Sequence, residues 1–325
     1  MNRQMYPSLW LICWQNNSIK ESKNKKDMLL LKKACPFLII IGNNPPIKRS
    51  FMANRSPEGI PLAGVRGAEL RRKGHNMKAL ITGATSGIGR DMAVLLAKQG
   101  IDLIIASRDT KKMQALAKRL PVTVKIVTVD LSKAEDCYYL YEETKSENID
   151  ILINNAGFGA FGPSWEVPLE TELNMIDLNI RAVHILTKLF LADFRARDDG
   201  YILNVASSAG FLAGPLMSAY YATKSYVLRF TEAIHEELRR SGSNVKISAL
   251  CPGHVETGFD KRASVNHSIG GLTSRKVAKI GLNGMFRGDV VILPGLLMKL
   301  TYFGEKFLTE PLMLRAAYTA QSKKR

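Results

Sequence analysis

Short apolar runs alternate with amphipathic stretches from residue 77 to about residue 295, and this alternation is the main structural signal in the sequence. The runs are continuously apolar and do not alternate with polar residues, which is typical of strands covered on both faces. Seven strands are predicted, at residues 78–81, 103–106, 122–129, 149–153, 201–205, 245–250 and 290–293.

Apolar residues at helical spacing fill the intervals between these runs. They predict helices at residues 88–98, from Met113 to Leu120, and over a long region around 173–194. Gly100 stands where a left-handed residue commonly ends a helix. Strands and helices in this order build a parallel sheet with right-handed crossovers and a ligand site at the carboxyl ends of the strands. The sequence therefore predicts a single α/β domain with a doubly wound sheet of about seven strands.

The composition is that of an ordinary globular protein of 325 residues, 46% hydrophobic and 23% charged. No apolar run approaches the roughly 18 to 20 residues that a helix needs to cross a bilayer, which argues against an integral membrane protein. The cysteines form no CxxC pair and the histidines have no acidic partner at ligand spacing, so neither a disulfide scaffold nor a metal site is expected. We expect a reducing, cytoplasmic location.

The net charge of +17 is unevenly distributed along the chain. Residues 1–76 carry +10 without any sustained helical or strand period, and the rest of the chain carries +7. We expect residues 1–76 to be a poorly structured basic extension, and we interpret Met77 as the natural start, with the extension read from upstream DNA. A transit peptide is the alternative interpretation.

A glycine-rich turn follows the first predicted strand, with the sequence Thr82-Gly83-Ala84-Thr85-Ser86-Gly87-Ile88-Gly89. Glycines let the backbone turn sharply and approach a pyrophosphate, whose charge the free N–H groups of the next helix stabilise. Such turns also serve close packing with no ligand. Placement between a strand and an amphipathic helix favours dinucleotide binding, through Gly83, Thr85, Ser86, Gly87, Ile88 and Gly89.

Tyr220 and Lys224 lie one turn apart on the same face of a predicted helix. This spacing alone is weak evidence, because two other pairs share it and are interpreted as solvated helical neighbours. Those pairs are Tyr141 with Lys145 and Tyr302 with Lys306. Ser207 distinguishes Tyr220, since it lies 13 residues earlier, just past the fifth predicted strand. We expect Ser207, Tyr220 and Lys224 to meet at the ligand-binding edge of the sheet.

Taken in order, the motifs resemble the short-chain dehydrogenase/reductase family in its single-domain form, over residues 77 to about 295. They are Thr82 to Gly89, Asp130-Leu131, Asn154-Asn155-Ala156-Gly157, Asn179, Ser207, Tyr220, Lys224, and Pro252-Gly253-His254-Val255-Glu256-Thr257. The resemblance implies a Rossmann-type fold, an NAD(P) cofactor, and a homodimer or homotetramer that interconverts a carbonyl and a secondary alcohol. The segment from Phe158 to Gly162 is similar to a bacterial branch related to steroid and 3-oxoacyl reductases.

Reduction of a carbonyl leaves a developing alkoxide, which must receive a proton as it forms. Tyr220 is the expected donor, and we expect Lys224 and the positive nicotinamide ring of the oxidised cofactor to lower its pKa. Ser207 can hydrogen-bond the substrate oxygen. The resemblance assigns Asn179 to a water-linked proton relay through Lys224, and the alternative is that Asn179 satisfies a helix irregularity.

The resemblance also implies further cofactor contacts. Asp130 would contact the adenine, Asn155 and Gly157 the cofactor-facing backbone, and Thr257 the nicotinamide amide. The remaining residues implied to bind the cofactor are Leu131, Ala156, Pro252, Gly253 and Val255, together with Tyr220 and Lys224 themselves.

The end of the second predicted strand bears on the choice of cofactor. NAD enzymes of this fold usually carry an acid there that binds the adenosine ribose, whereas this strand ends at Ser107 and Arg108. Arg108 can meet a 2′-phosphate with a planar, charged fork, and Ser107 can add a hydroxyl bond. We therefore expect NADP(H) over NAD(H). An exposed arginine without that role is the alternative, and Asp109 could partly neutralise it.

Apolar residues surround the expected position of the substrate. The pocket is predicted to include Phe158, Phe161, Phe211, Leu212 and Met217, which favours an apolar ketone such as a steroid or an acyl chain over a sugar. The tail, residues 296–325, is expected to be helical and to pack on the body, form a subunit contact or rest on a membrane surface.

Two other functions compete with that of an enzyme. A non-catalytic dinucleotide-binding regulator would have no need for the full set of Ser207, Tyr220 and Lys224. A nucleic-acid-binding protein would explain the positive charge, but that charge lies mostly outside the predicted domain and lacks interleaved aromatic residues.

Overall fold

The computed structural model describes residues 71–72, 75–256, 271–304 and 309–322. All of them belong to one compact unit, Gly59–Arg325. The predicted extension therefore lies outside the described residues, except for Arg71–Arg72 and His75–Asn76, which pair as a short antiparallel ladder. Within the described part, no helix has the length and apolar character needed to cross a membrane.

A seven-stranded parallel sheet forms the centre of the described unit. Its strands are β1 (Lys78–Thr82), β2 (Asp102–Ser107), β3 (Val124–Thr128), β4 (Ile151–Asn154), β5 (Tyr201–Val205), β6 (Lys246–Leu250) and β7 (Val291–Ile292). They are ordered β7-β6-β5-β4-β1-β2-β3, so the chain moves outward from β1 in one direction and then crosses to the other side. The doubly wound sheet predicted from the sequence is confirmed.

Helices cover both faces of this sheet. They are α1 (Gly87–Ala97), α2 (Thr110–Ala117), α3 (Ala134–Thr144), α4 (Leu169–Ile176), α5 (Val183–Ala196), α6 (Ser218–Arg240), α7 (Ser274–Arg287), α8 (Leu296–Gly304) and α9 (Glu310–Ser322). The helical region predicted around 173–194 is interrupted, because a π-helical turn, Asp177–Ala182, separates α4 from α5.

The apolar strands read as continuous runs because each face of the sheet has its own core. Leu80 and Ile104 pair in register and pack with α3, α5 and α6 on one face. Their chain neighbours Ile81 and Ile105 pack with α1 and α7 on the other. Successive side chains of a strand point to opposite faces, so both must be apolar where both faces are covered.

Gly100 ends α1 as predicted. Its φ is +77°, its N–H donates to Ala97 O at 3.0 Å, and the N–H of Ile101 donates to Leu96 O at 3.2 Å. This left-handed residue reverses the chain into β2, which brings the carboxyl ends of β1 and β2 to the same edge of the sheet.

Candidate functional site

The glycine turn lies between β1 and α1 at the carboxyl edge of the sheet. Gly83 and Gly87 have φ values of +68° and +54°, which L side chains rarely adopt. A Cβ on Gly83 would lie 2.9 Å from the Cα of Ala156, so glycine permits a close backbone approach here. Ser86, the N-cap of α1, makes no side-chain capping hydrogen bond. The first N–H groups of α1 are therefore available to an anionic ligand, and the turn fits a pyrophosphate.

Other predicted members of this turn remain accessible. Ser86 is exposed, and Thr85, Gly87 and Ile88 are half-buried. Gly89 is buried, and a Cβ there would lie 2.7 Å from the carbonyl oxygen of Gly83. Gly89 thus allows α1 to begin directly against the turn.

Asn155 holds the turn in place from the end of β4. Its Nδ2 donates to the carbonyl oxygens of Thr82 and Gly83, at 3.0 and 3.1 Å. The backbone N–H groups of Asn155 and Ala156 both donate to Thr82 Oγ1 at 3.0 Å. The side chain of Asn155 therefore supports the turn from the protein side. Thr82, the first residue of the glycine motif but not one of the predicted cofactor-binding residues, is the acceptor that ties β1 to β4.

Ser107 and Arg108 lie where β2 ends, beside Asp130. The Arg108 side chain is 69% exposed, and its Nη1 lies 4.0 Å from Asp130 Oδ2. Asp109 is paired elsewhere, because its carboxylate accepts from Lys112 N at 2.9 Å and lies 2.7 Å from Lys112 Nζ. The hydrogen bond from the Lys112 side chain lowers the pKa of Asp109. Arg108 thus extends from the strand end with Asp109 turned to another partner.

Asp130 and Leu131 follow β3 at the same edge. Asp130 Oδ1 accepts hydrogen bonds from Ser132 N at 3.2 Å and Ser132 Oγ at 2.8 Å, while Leu131 is buried. The second carboxylate oxygen of Asp130 faces Arg108. Both residues therefore line the edge of the sheet next to the end of β2.

Ser207, Tyr220 and Lys224 come together at the carboxyl end of β5. A side-chain hydrogen bond joins Ser207 to Tyr220. Ser207 Oγ also accepts from Ala209 N at 3.1 Å, which fixes its rotamer. Lys224 Nζ donates to Val205 O at 2.9 Å and lies 5.9 Å from the centre of the Tyr220 ring. The structure thus brings together the three residues that the sequence placed at one point.

Burial controls the pKa values of this group. It raises the pKa of Tyr220 to about 12, with the Ser207 hydrogen bond acting in the opposite direction. It lowers the pKa of Lys224 to about 8, because the charged ammonium is disfavoured in a buried position. The sequence predicts a lowered pKa for Tyr220. In the protein without a cofactor, burial is the largest influence on the pKa of Tyr220, and this pKa is raised.

Asn179 lies in the π-helical turn, where it is fully buried. Its Oδ1 accepts from Phe158 N at 3.1 Å, and its Nδ2 donates to Phe158 O at 2.8 Å and to Thr223 Oγ1 at 3.1 Å. Asn179 therefore sits at a helix irregularity, yet its side chain binds the loop after β4. A Cβ on Gly157 would lie 2.9 Å from Asn179 Oδ1 and 3.5 Å from Lys224 Nζ, so this loop passes close to both residues.

A second polar network, missed by sequence reasoning, lies beneath the site. Asn154 Nδ2 donates to Asn204 Oδ1 at 2.9 Å and to Thr187 Oγ1 at 3.1 Å, and Asn204 Nδ2 donates to Thr231 Oγ1 at 3.0 Å. The network links β4 and β5 to helices α5 and α6. Of these helices, α6 also carries Tyr220 and Lys224. Asn204 within one apolar strand run and Asn154 directly after another were the available signal, since a buried amide requires partners.

The predicted substrate pocket divides into two parts. Met217 packs with Phe161, Tyr220 and Tyr221, and Gly162 N donates to Leu216 O at 2.8 Å, which joins the two loops that carry Phe161 and Met217. Phe211 packs elsewhere, in a cluster with Ala206 and Val227, and its ring meets that of Tyr302 edge to face at 4.9 Å. Leu212 is half-buried, and Phe158 is held by Asn179 through its backbone. Phe211 and Met217 thus lie in different packing clusters, and their shared role in a substrate pocket stays a prediction.

The loop after β6 adds another wall of the site. Pro252 O accepts from Ser208 N at 2.8 Å, and Val255 pairs with Leu272. A Cβ on Gly253 would lie 2.9 Å from Met298 Cε, so α8 packs directly on this loop. Thr257, the predicted partner of the nicotinamide amide, lies outside the described residues.

The two other tyrosines at YxxxK spacing lie away from this group, but the description of them as solvated was wrong. Tyr141 Oη donates to Asp193 Oδ1 at 3.0 Å, and its ring packs on Phe190 at 5.2 Å. Tyr302 packs on Phe211, and Lys306 lies outside the described residues. Helical spacing reports the local face of a side chain and leaves open which neighbouring helix covers it.

Cys251, which directly follows β6, is a free and buried cysteine. Burial raises the pKa of its thiol far above the usual range, which favours the protonated form.

Comparison with known proteins identifies relatives of this arrangement. A sequence profile of the short chain dehydrogenase family matches residues 77–267. The chain is 36% identical over 190 residues to 17-beta-hydroxysteroid dehydrogenase type 3 of Mus musculus, a match that covers 56% of this chain and 61% of the mouse protein. The matched region thus spans about three fifths of that relative.

Solved structures share the fold. A short-chain dehydrogenase from Sphingobium yanoikuyae in complex with NADPH is 30% identical, with a TM-score of 0.66 over 73% of this chain and 95% of that chain. A short chain dehydrogenase/reductase from Burkholderia phymatum in complex with NAD is 26% identical, with the same TM-score and the same shares covered. The sheet, the glycine turn and the profile match over residues 77–267 agree: the chain belongs to the short chain dehydrogenase family of oxidoreductases.

Proposed function

We propose that this protein reduces an apolar ketone to a secondary alcohol with NADPH as the reductant. The observation that carries the proposal is the meeting of Ser207, Tyr220 and Lys224 at the carboxyl edge of the sheet, next to the glycine turn. A non-catalytic dinucleotide-binding protein would have no use for this combination.

Ser207 and Tyr220 are the residues that would hold the carbonyl oxygen of the substrate. Their hydroxyls are hydrogen-bonded to each other, so one oxygen atom placed beside them can bind both. Tyr220 gives its phenolic proton to that oxygen as negative charge develops there. When bound, a reduced nicotinamide supplies the hydride that the carbonyl carbon receives.

Lys224 would place a positive charge beside Ser207 and Tyr220. Val205 O accepts one of its N–H bonds, which leaves two donors for other partners, and with a pKa of about 8 the ammonium is mainly charged at neutral pH. A positive charge beside Tyr220 favours the phenolate that remains after proton transfer. Asn179 holds the backbone of Phe158 and so fixes the loop that passes close to Lys224. The proposed relay would run through water between Asn179 and Lys224.

The turn and the strand ends would hold the dinucleotide. Free N–H groups at the start of α1 fit a pyrophosphate, and the positive φ values of Gly83 and Gly87 let the backbone approach it. Asp130 and Leu131 would flank the adenine. The exposed Arg108 fork favours a 2′-phosphate, and the pairing of Asp109 with Lys112 supports this selection. The similar structure from Sphingobium yanoikuyae is a complex with NADPH, which supports the proposed preference. The similar structure from Burkholderia phymatum is a complex with NAD.

The substrate class follows from the apolar wall at Phe161 and Met217. Such a wall favours a bulky ketone over a sugar. The similarity to a 17-beta-hydroxysteroid dehydrogenase supports a ketone of steroid-like size, and a 3-oxoacyl chain is the other apolar candidate.

We further propose that residues 77–295 are the catalytic domain and that the tail is part of the working site, since Tyr302 packs on Phe211 and Gln321 contacts Tyr221.

Assembly into a homo-oligomer is supported by apolar side chains exposed on and before α4, among them Trp165 at 86% and Leu169 at 65%. The cytoplasmic location stays a prediction.

Assays with a panel of ketones and both reduced cofactors test the proposal. Steroid-sized ketones, 3-oxoacyl esters and small sugars would be compared by the loss of absorbance of NADPH or NADH. We expect the highest kcat/KM for a bulky apolar ketone with NADPH. Turnover of the sugars alone, or no turnover with any carbonyl, would contradict it.

A further inference from the structure

Gln321 is a polar residue buried near the end of the last helix, α9. It is 2% exposed, whereas Leu312 and Tyr318 on the same helix are 56% and 54% exposed. Exposed apolar residues and a buried amide reverse the usual pattern of a surface helix. The buried amide therefore needs a reason that packing alone does not supply.

The amide of Gln321 is only half satisfied. Its Nε2 donates a hydrogen bond to Tyr221 Oη, and its Oε1 has no partner among the described residues. If the amide were turned over, the phenol would donate to Oε1 and the NH₂ group would be left without a partner. In either orientation one buried polar group of this side chain lacks a hydrogen-bond partner among the described residues, a deficit that a ligand could satisfy.

Tyr221 connects Gln321 to the proposed site. Its ring meets that of Tyr220 nearly perpendicularly, with 6.2 Å between the centroids. It also packs against Met217, as Phe161 does, and it lies directly against Gly214, where a Cβ would collide with the ring. Gln321, on a helix late in the chain, thus contacts through Tyr221 the apolar cluster that contains Tyr220.

We propose that Gln321 is a specificity-determining residue, whose unsatisfied amide group binds a hydroxyl group of the substrate remote from the reacting carbonyl. A hydroxyl both donates and accepts hydrogen bonds, so it matches either orientation of the amide. The substrate class is then a bulky apolar ketone that carries a second, hydroxyl function. This inference rests on the proposed function, since it names the substrate of the same site.

Matched substrates test it in the full-length protein. Kinetics with NADPH would be measured for a hydroxylated bulky ketone and for its deoxy counterpart on the same carbon skeleton. We expect Gln321→Leu to lower kcat/KM for the hydroxylated ketone about tenfold, mainly through KM, because a hydrogen bond to the substrate is lost. The deoxy ketone should change by less than about twofold.

Two further variants make the result specific. Thr319→Ala alters an exposed residue two positions away on α9 and should leave both substrates unchanged. Gln321→Met has similar volume to the parent and repeats the test if the leucine variant folds poorly, as judged by thermal melting. Selective loss with either apolar variant supports the inference.

The contrary results are distinct. Equal losses for both ketones, or no loss for either, would show Gln321 to be structural and overturn the inference while leaving the proposed function standing. A parent enzyme that reduces neither ketone would overturn the proposed function, and the inference with it.

Discussion

The ammonium nitrogen of Lys224 lies 5.9 Å from the centre of the Tyr220 ring, one turn along α6. Lys224 is buried and Tyr220 half-buried, and burial shifts their pKa values in opposite directions, to about 12 for the phenol and about 8 for the ammonium. At neutral pH the phenol therefore keeps its proton beside a mainly charged ammonium. This state suits proton donation, in keeping with reduction as the proposed direction.

Tyr220→Phe should remove turnover and leave cofactor binding nearly intact. Only the phenolic hydroxyl is lost, and a proton donor in the transition state contributes about 10² to 10⁴-fold to the rate. We expect kcat to fall about 10³-fold, with the dissociation constant of NADPH, measured by fluorescence titration, changed by less than about threefold. Tyr141→Phe and Tyr302→Phe are controls that should keep activity. Retained turnover with lost NADPH affinity would contradict the proposed role.

Arg108→Ala should remove the preference for NADPH. A charge-assisted bond to the 2′-phosphate contributes about 1.5 to 3 kcal/mol, so the ratio of kcat/KM for NADPH to that for NADH should fall about 10 to 100-fold. Arg119→Ala, which changes an exposed arginine near the end of α2, is the matched control. An unchanged ratio in Arg108→Ala would exclude this residue as the selector.

Lys224→Met should change how stability depends on pH. Above a pH of about 8 the folded parent releases the Lys224 proton, while the unfolded chain keeps it up to about 10.5. The unfolded state then binds more protons, so this residue raises the free energy of unfolding as pH increases. Above about pH 10 ionisation of Tyr220 in the unfolded chain opposes the effect, because its pKa in the folded state is about 12.

The measurement is urea denaturation of parent and variant at pH 8 and pH 10. We expect the parent to gain about 2 kcal/mol relative to Lys224→Met between these values. Lys188→Met, at an exposed position on α5, should follow the parent. A constant difference between parent and Lys224→Met would show that the Lys224 pKa is unshifted.

A chain that begins at Met77 should fold and have full activity. Met77 is buried against the sheet, β1 begins at the next residue, and every residue of the proposed site follows it. Circular dichroism and NADPH-dependent turnover would be compared with the full chain. An insoluble or inactive truncated chain beside an active full chain would show that residues 1–76 are needed.

The strands and the glycine turn could be predicted from the sequence because they depend on neighbours along the chain. Continuous apolar runs required cover on both faces, and Gly83 and Gly87 stood between a strand and a helix. The interrupted helix was missed, since one π-helical turn at Asp177–Ala182 leaves the apolar pattern on either side nearly unchanged. The contact of Phe211 with Tyr302 on α8 was not predicted, because the two residues lie about ninety positions apart in the chain.

By itself the sequence determined the doubly wound sheet and the family, and it indicated which residues meet at the end of β5. Local periodicity and strand order are enough for these, because parallel strands bring their carboxyl ends to one edge. Only the tertiary structure decided that Asn155 holds the glycine turn, that Asn154 and Asn204 share a buried network, and that Gln321 bonds to Tyr221 across 100 residues of chain. Those contacts depend on how separate elements pack, and local sequence patterns carry no record of the partner.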